Sequence, residues 1–112
     1  MITSEIIDEF MDLLDQYDYV NTAYQITDAL GSYKNRIANR EDFYLIQAPD
    51  AYHFKQIYQY FNPECSSGHP AHQLPMNFTE GRYFGYHNNI KITYPGDLEI
   101  AEIFLKRRAQ KL

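Results

Sequence analysis

The C-terminal segment "HNNIKITYPGDLEIAEIFLKRR", His87–Arg108, carries two apolar patterns separated by a Pro-Gly pair. Before the pair, isoleucines alternate with polar residues, which predicts a strand over Asn89–Thr93. After it, Pro95 suits the first turn of a helix, where its missing N–H group costs nothing. Apolar residues then recur at helical spacing up to three cations, which favour the C-terminal end of a helix. The segment therefore predicts a strand followed by a long amphipathic helix.

Lys91 lies in the middle of that predicted strand, between Ile90 and Ile92. Consecutive strand side chains point to opposite faces, so isoleucines in the core would turn Lys91 toward a cleft or toward solvent. Ligands of α/β proteins bind where strands end and helices begin, and a compact ammonium group suits a phosphate. Lys91, paired with Arg40, is therefore a candidate anion site, although an ordinary exposed lysine is the simpler interpretation of residue chemistry alone.

Apolar periodicity predicts two further helices. The first begins at Thr3 or Ser4, either of which can cap it, and the second covers Ala51–Phe61 and ends at Asn62-Pro63. Runs of strand-forming residues predict four more strands: Tyr19–Ile26, a short one near Ile37, Phe43–Pro49 with Pro49 as its end, and Arg82–Tyr86.

Two segments lack a regular apolar pattern. Thr27–Arg40 is predicted to be a loop or an extended arm, and Glu64–Gly81 a loop with one short helical turn. The order of helices and strands along the chain predicts the α/β fold class.

Composition limits the possible functions of the chain. Its 112 residues suit one domain, residues 1–112, and 45% apolar residues suffice for a core. A formal net charge of -5 argues against nucleic acid or an anionic membrane as a partner. No apolar run approaches the ~20 residues of a membrane span. A single cysteine, Cys65, excludes an internal disulfide. We therefore expect a cytoplasmic protein.

Other residues with chemical potential form weaker patterns. Cys65, His69 and His72 have a spacing that could contribute to a zinc site, but no fourth ligand is evident, so no metal site is predicted. Asp28, Glu41 and Asp42 are carboxylates in a loop, with no spacing that fixes a common face. A Gly-x-Ser-x-Gly nucleophile motif is absent from the sequence.

The C-terminal segment resembles the signature of the 2-C-methyl-D-erythritol 4-phosphate cytidylyltransferase family, which includes ribitol-5-phosphate cytidylyltransferases. The matching residues are Asn89-Ile90-Lys91-Ile92-Thr93, Pro95, Asp97-Leu98 and Ala101-Glu102. Two further segments occur in the family's order. "REDFYLIQAPDAYHF" is similar to an arginine, strand, Gln-Thr-Pro-Gln and aromatic pattern, with Arg40, Gln47, Pro49 and either Tyr52 or Phe54 in place. "AYQITDAL" puts Asp28 on the family's aspartate.

This resemblance implies the C-terminal half of a partial Rossmann-like nucleotidyltransferase fold. Such enzymes transfer CMP from CTP to a polyol phosphate with Mg²⁺, as homodimers joined by an extended β-arm, here residues 27–42. By resemblance, Lys91 and Arg40 are the catalytic residues, and Arg40, Asp28 and Lys91 bind substrate. Arg40 would hold the polyol phosphate, within its own subunit or across the dimer, and Lys91 would lie beside the reacting phosphates.

The sequence also departs from the family. Ala29 and Ala48 replace threonines, and Asp50 replaces a glutamine, which removes two hydroxyls and adds a charge that repels phosphate. The family's glycine-rich CTP loop and its metal-binding aspartate have no counterpart in these 112 residues. We therefore expect this chain to bind neither CTP nor Mg²⁺ tightly and to be inactive alone. The alternative is a standalone dimerisation or interaction module with a tyrosine-rich surface, formed by Tyr33, Tyr44, Tyr52, Tyr58, Tyr60 and Tyr83.

Overall fold

The chain forms a small α/β structure in a computed structural model that describes residues 2–66, 69–86 and 90–111. Three helices accompany a three-stranded mixed sheet in these ranges, which confirms the predicted fold class. The elements are α1 Ser4–Leu14, β1 Tyr19–Gln25, β2 Tyr44–Tyr52, α2 Phe54–Tyr60, β3 Glu80–Tyr83 and α3 Pro95–Lys111. Two 3₁₀ turns, Arg40–Asp42 and Pro70–Gln73, precede β2 and β3.

Strand β1 is the centre of the sheet, whose order is β2-β1-β3. It pairs antiparallel with β2, from Tyr19 opposite Tyr52 to Gln25 opposite Tyr44. It pairs parallel with β3 over four positions, starting with Tyr19 beside Glu80. The Asp18 carboxylate accepts hydrogen bonds from the Thr79 backbone N–H (2.7 Å) and hydroxyl (3.0 Å), which holds the starts of β1 and β3 together.

The apolar core lies between α1 and one face of the sheet. Phe10, Leu14 and Val20 are buried at its centre. Around them pack the half-buried side chains Ile6, Leu13, Ala51 and Tyr83. The helix forms where predicted: the Thr3 hydroxyl oxygen caps it by accepting from the Ile6 N–H at 3.3 Å.

Helix α3 exposes much of its apolar surface. Ala101 and Phe104 are half-buried, but Leu98 and Leu105 on one flank and Ile100 and Ile103 on the other are exposed. A helix that is apolar over so wide an arc is usually covered on more than one side. None of the helices in the described ranges is long and apolar enough to cross a membrane.

Two predicted strands have different bounds in the structure, and two others do not form in the described residues. Strand β2 continues through Pro49 to Tyr52 because the proline lies in an irregularity: the register steps from Asn21 opposite Asp50 to Thr22 opposite Gln47. Strand pairing therefore requires no backbone N–H group at Pro49, and prolines are found in sheets at such irregular positions. Its carbonyl accepts from the Thr22 hydroxyl at 2.5 Å. The Ala48–Pro49 peptide bond is cis.

The other three corrections concern weakly partnered segments. Residues 26–39 contain no strand, so the one expected near Ile37 does not form there. The strand expected over Arg82–Tyr86 is β3, Glu80–Tyr83, which extends only as far as its pairing with β1. Residues 90–93 are not a strand, and Asn89 lies outside the described residues.

We expect Phe10→Ala to lower the free energy of unfolding by about 3–5 kcal/mol, because it empties the centre of the core. The Phe10 ring is buried and lies 5.0 Å from the Tyr83 ring, centroid to centroid. Ile7→Ala on the same helix is the matched control, since Ile7 is 51% exposed. Chemical denaturation measures both. Equal losses would contradict this placement of the core.

Candidate functional site

Arg40 begins the 3₁₀ turn that precedes β2. Its Nη1 donates a 2.6 Å hydrogen bond to the Thr27 carbonyl oxygen, which closes the base of the loop 27–39. A cavity of about 450 Å³ lies beside it, lined by Gln25, Ile26, Thr27, Arg40, Glu41 and Phe43. A guanidinium has five N–H donors, so Arg40 can hold Thr27 and still meet an anion. Glu41 lines the same cavity, and its carboxylate would repel a strongly negative ligand.

The other two predicted site residues lie apart from this cavity lining. Asp28 is exposed one residue beyond Thr27. Lys91 is exposed in the segment that leads into α3. Among the contacts of the described residues, none joins Lys91 to Arg40 or Asp28. The roles of Arg40, Asp28 and Lys91 in binding and catalysis therefore stay predictions.

Asp97 fixes the segment that carries Lys91 to the start of α3. Its Oδ2 accepts the backbone N–H groups of Thr93 and Tyr94, both at 2.9 Å. An acid in the first helical turn that reaches back to the preceding N–H group is half of a capping box. These two hydrogen bonds lower the pKa of Asp97. The bond from Thr93 also uses a donor that the predicted strand over Asn89–Thr93 could have given to its ladder.

The sheet face opposite α1 carries a polar network centred on Glu80. This carboxylate accepts from the Tyr44 hydroxyl, from Asn21 Nδ2 at 2.9 Å and from Arg82 Nε at 2.6 Å. The Arg82 guanidinium also lies over the Tyr44 ring, 4.9 Å from its centroid. Burial and the bond to Glu80 raise the pKa of Tyr44, so it stays a donor at neutral pH. The network joins all three strands, and the sequence analysis did not identify it.

Asp50 and His69 form a second polar pair on this face. His69 Nδ1 accepts the Ala71 N–H at 3.2 Å, which leaves Nε2 to carry the proton of the neutral ring. Nε2 lies 3.7 Å from Asp50 Oδ2, and both side chains are about one-quarter exposed or less. Burial and the neighbouring Asp50 raise the pKa of Tyr52. Two-residue spacing along β2 puts Asp50 and Tyr52 on one face, a signal that the sequence does contain.

The cysteine and histidine cluster does not form a metal site in the described residues. Within 2–66, 69–86 and 90–111, no three His, Cys, Asp or Glu side chains converge as metal ligands would. His69 is directed at Asp50 instead, with the His72 ring 5.6 Å from its own.

The tyrosines expected at the surface divide into two groups. Tyr33 and Tyr58 are well exposed and Tyr60 is slightly so. Tyr44, Tyr52 and Tyr83 are half-buried in the contacts of the sheet. These six tyrosines therefore do not share one exposed surface in the part of the chain that the structure describes.

Three proteins are among those whose solved structures share the fold of this chain. The first is 2-C-methyl-D-erythritol 4-phosphate cytidylyltransferase from Thermus thermophilus, with a TM-score of 0.77 and 16% identity over 95% of this chain. The second is 4-diphosphocytidyl-2C-methyl-D-erythritolsynthase from Anaerococcus prevotii, with a TM-score of 0.75 and 23% identity over 93% of this chain. The third is the bifunctional IspDF from Campylobacter jejuni, with a TM-score of 0.71 and 21% identity over 88% of this chain. The matches cover 57%, 53% and 27% of those chains, so this chain spans about half the length of two of them. No family model and no curated protein matches the sequence.

These matches confirm the resemblance at the level of the fold. At such identities the likeness extends to the fold alone.

We expect Asp97 to hold the lead-in to α3 only while it is ionised. Since its pKa is lower in the folded chain, its stabilising contribution is complete above the unfolded value and is lost as the pH falls through the folded value. NMR should show the Thr93 and Tyr94 amide signals moving together as the pH falls below the range in which an ordinary aspartate titrates. In Asp97→Asn they should no longer titrate, whereas Glu99→Gln should behave like the parent. Unchanged titration in Asp97→Asn would assign it to another group.

Proposed function

We propose that this chain is the C-terminal region of a nucleotidyltransferase that transfers CMP from CTP to a polyol phosphate, either methylerythritol 4-phosphate or ribitol 5-phosphate. The observation that supports this most is the shared fold over 88–95% of the chain. The match of Asn89–Thr93, Asp97-Leu98 and Ala101-Glu102 to the family signature adds to it.

In the proposed reaction, an oxygen of the polyol phosphate attacks the α-phosphorus of CTP. A new P–O bond forms as the bond to pyrophosphate breaks, which gives a CDP-polyol. Little covalent chemistry is left for the protein, so fixed cations that stabilise the developing charge supply most of the catalysis. Arg40 holds the polyol phosphate, Lys91 faces the reacting phosphates, and Asp28 contacts the substrate.

Magnesium belongs to this proposal only for a longer polypeptide. The described residues offer no set of three converging acidic or histidine side chains. Mg²⁺ is held by one or two carboxylates together with substrate phosphates. We assign the nucleotide and its metal to parts of the fold beyond these 112 residues, because the glycine-rich loop and the metal-binding aspartate implied by the resemblance are not among them.

We expect the 112-residue chain not to bind CTP with Mg²⁺ at micromolar concentration, because the glycine-rich phosphate loop is not among its residues. Isothermal titration calorimetry measures this directly. A longer polypeptide that also carries a glycine-rich phosphate loop should bind CTP. Micromolar binding by the chain alone would contradict the division of the site.

The proposed assembly is a homodimer in which residues 27–42 act as an arm to the partner subunit. That loop carries well-exposed Tyr33 and Ile37, which a partner would cover. The second candidate function, an interaction module, is favoured by the exposed flanks of α3 and by the nine-residue edge strand β2, whose outer backbone groups face no strand in the described residues.

Light scattering should give the mass of two chains. Tyr33→Ser with Ile37→Ser should shift the mass toward one chain if the arm forms the dimer. Leu98→Ser with Ile103→Ser is the matched pair on α3, and a monomer produced only by this pair would favour the interaction module. A monomer at high concentration in the parent chain would contradict the dimer.

A further inference from the structure

We infer that Asp50 and His69 form a binding site for a hydroxyl group, and that its ligand is the polyhydroxylated part of the acceptor substrate. The choice of this acceptor rests on the proposed function. The hydroxyl site itself rests on the geometry of the pair.

The pair presents one acceptor and one donor at a gap that a hydroxyl fits. The two facing atoms, Asp50 Oδ2 and His69 Nε2, are 3.7 Å apart, which is too far for a direct hydrogen bond. An oxygen to one side of the line that joins them can lie within hydrogen-bond distance of both. An alcohol is both donor and acceptor, so it can donate to the carboxylate and accept from the ring N–H.

The orientation of His69 is set by the backbone rather than by Asp50. Its Nδ1 accepts the Ala71 N–H as the cap of the turn Pro70–Gln73. This bond directs the Nε2–H group toward Asp50 and fixes the neutral tautomer. A donor held in place in this way loses little freedom when a ligand binds.

The position of Asp50 is set by the strand pairing. It is the residue directly after the irregular step in β2, opposite the fully buried Asn21. The Tyr52 hydroxyl lies buried in its neighbourhood without a hydrogen bond of good geometry in the described residues. Asn21 Oδ1 is also buried and unpartnered among them. Two residues next to Asp50 in the sheet or the sequence thus keep unused hydrogen-bonding capacity, while the Asp50 side chain itself is 25% exposed.

The charge of the pair selects against phosphate as its ligand. A carboxylate repels an anion, whereas it accepts well from alcohols. The phosphate end of the substrate therefore belongs elsewhere, and the hydroxyl-bearing carbons belong at Asp50 and His69. This gives a role to the aspartate at position 50, which the family resemblance left as an unexplained departure.

NMR titration of the ¹⁵N-labelled chain tests this inference with ribitol 5-phosphate, free ribitol and inorganic phosphate. Both ribitol compounds should move the Asp50 amide and the His69 ring signals, and inorganic phosphate should leave them in place. Asp50→Asn and His69→Asn should each raise the Kd of ribitol 5-phosphate roughly tenfold. The asparagine at position 69 keeps an acceptor for the Ala71 N–H, so the turn is preserved.

His72→Asn is the control, because His72 lies in the same turn and is exposed. It should leave the Kd unchanged. Unchanged Kd values in Asp50→Asn and His69→Asn would overturn the hydroxyl site while leaving the proposed function intact. Shifts at both residues with free ribitol, but no effect of Arg40→Gln or Lys91→Gln on ribitol 5-phosphate, would support the hydroxyl site and count against the proposed phosphate site. No shift with either ribitol compound would overturn the hydroxyl site.

Discussion

The burial of β1 is the constraint on which the rest of this structure depends. Val20, Asn21, Thr22 and Ala23 are essentially inaccessible to solvent, and the strand pairs on both edges. Val20 faces α1 and contributes to the apolar core. Asn21 faces the other side and must satisfy its polar atoms there, because an unpaired buried amide costs free energy. The Glu80 carboxylate accepts a hydrogen bond from Asn21 Nδ2 and so satisfies one part of that amide. The buried asparagine of the central strand therefore requires polar neighbours on this face of the sheet.

The polar face of the sheet also helps to hold the three strands together. The Glu80 network links Asn21 on β1, Tyr44 on β2 and Arg82 on β3, so it adds side-chain bonds to the backbone ladder. Charge-assisted hydrogen bonds in a half-buried setting are stronger than neutral ones on the surface. The strand β3 has only four paired residues. Its position therefore depends on Glu80 and Arg82 as well as on its own short ladder.

Sequence patterns predicted the elements that carry their own signals. Helix α1 has a cap at Thr3 and a regular apolar period, and α3 has Pro95 at its start and cations at its end, so both formed where expected. Strand β1 was predicted to within one residue. These elements are determined by residues close in sequence, which is the information that a pattern contains.

The errors in the predicted structure lie where contacts between distant residues decide the outcome. Alternation around Lys91 predicted a strand, but Asp97 takes the N–H groups of Thr93 and Tyr94. Pro49 was expected to end β2, but it lies at the register step, where its missing N–H group does not interrupt the strand pairing. The Glu80 network and the Asp50–His69 pair join strands and turns that are far apart in sequence, so no local spacing could reveal them. The residues named from the family resemblance were located by the structure but not brought together by it.

The geometry of the sheet bears on how Arg40 could share a substrate with Asp50. Arg40 is tied to Thr27, beyond the end of β1, whereas Asp50 pairs with Asn21 near its start. The stretch from Asn21 to Gln25 spans roughly 13 Å at ~3.3 Å per residue. An erythritol or ribitol phosphate that fills the gap at Asp50 would need to extend well beyond this length to reach the bound guanidinium of the same chain. If both residues contact one ligand, the predicted contact of Arg40 across a dimer fits this separation better than contact within one chain.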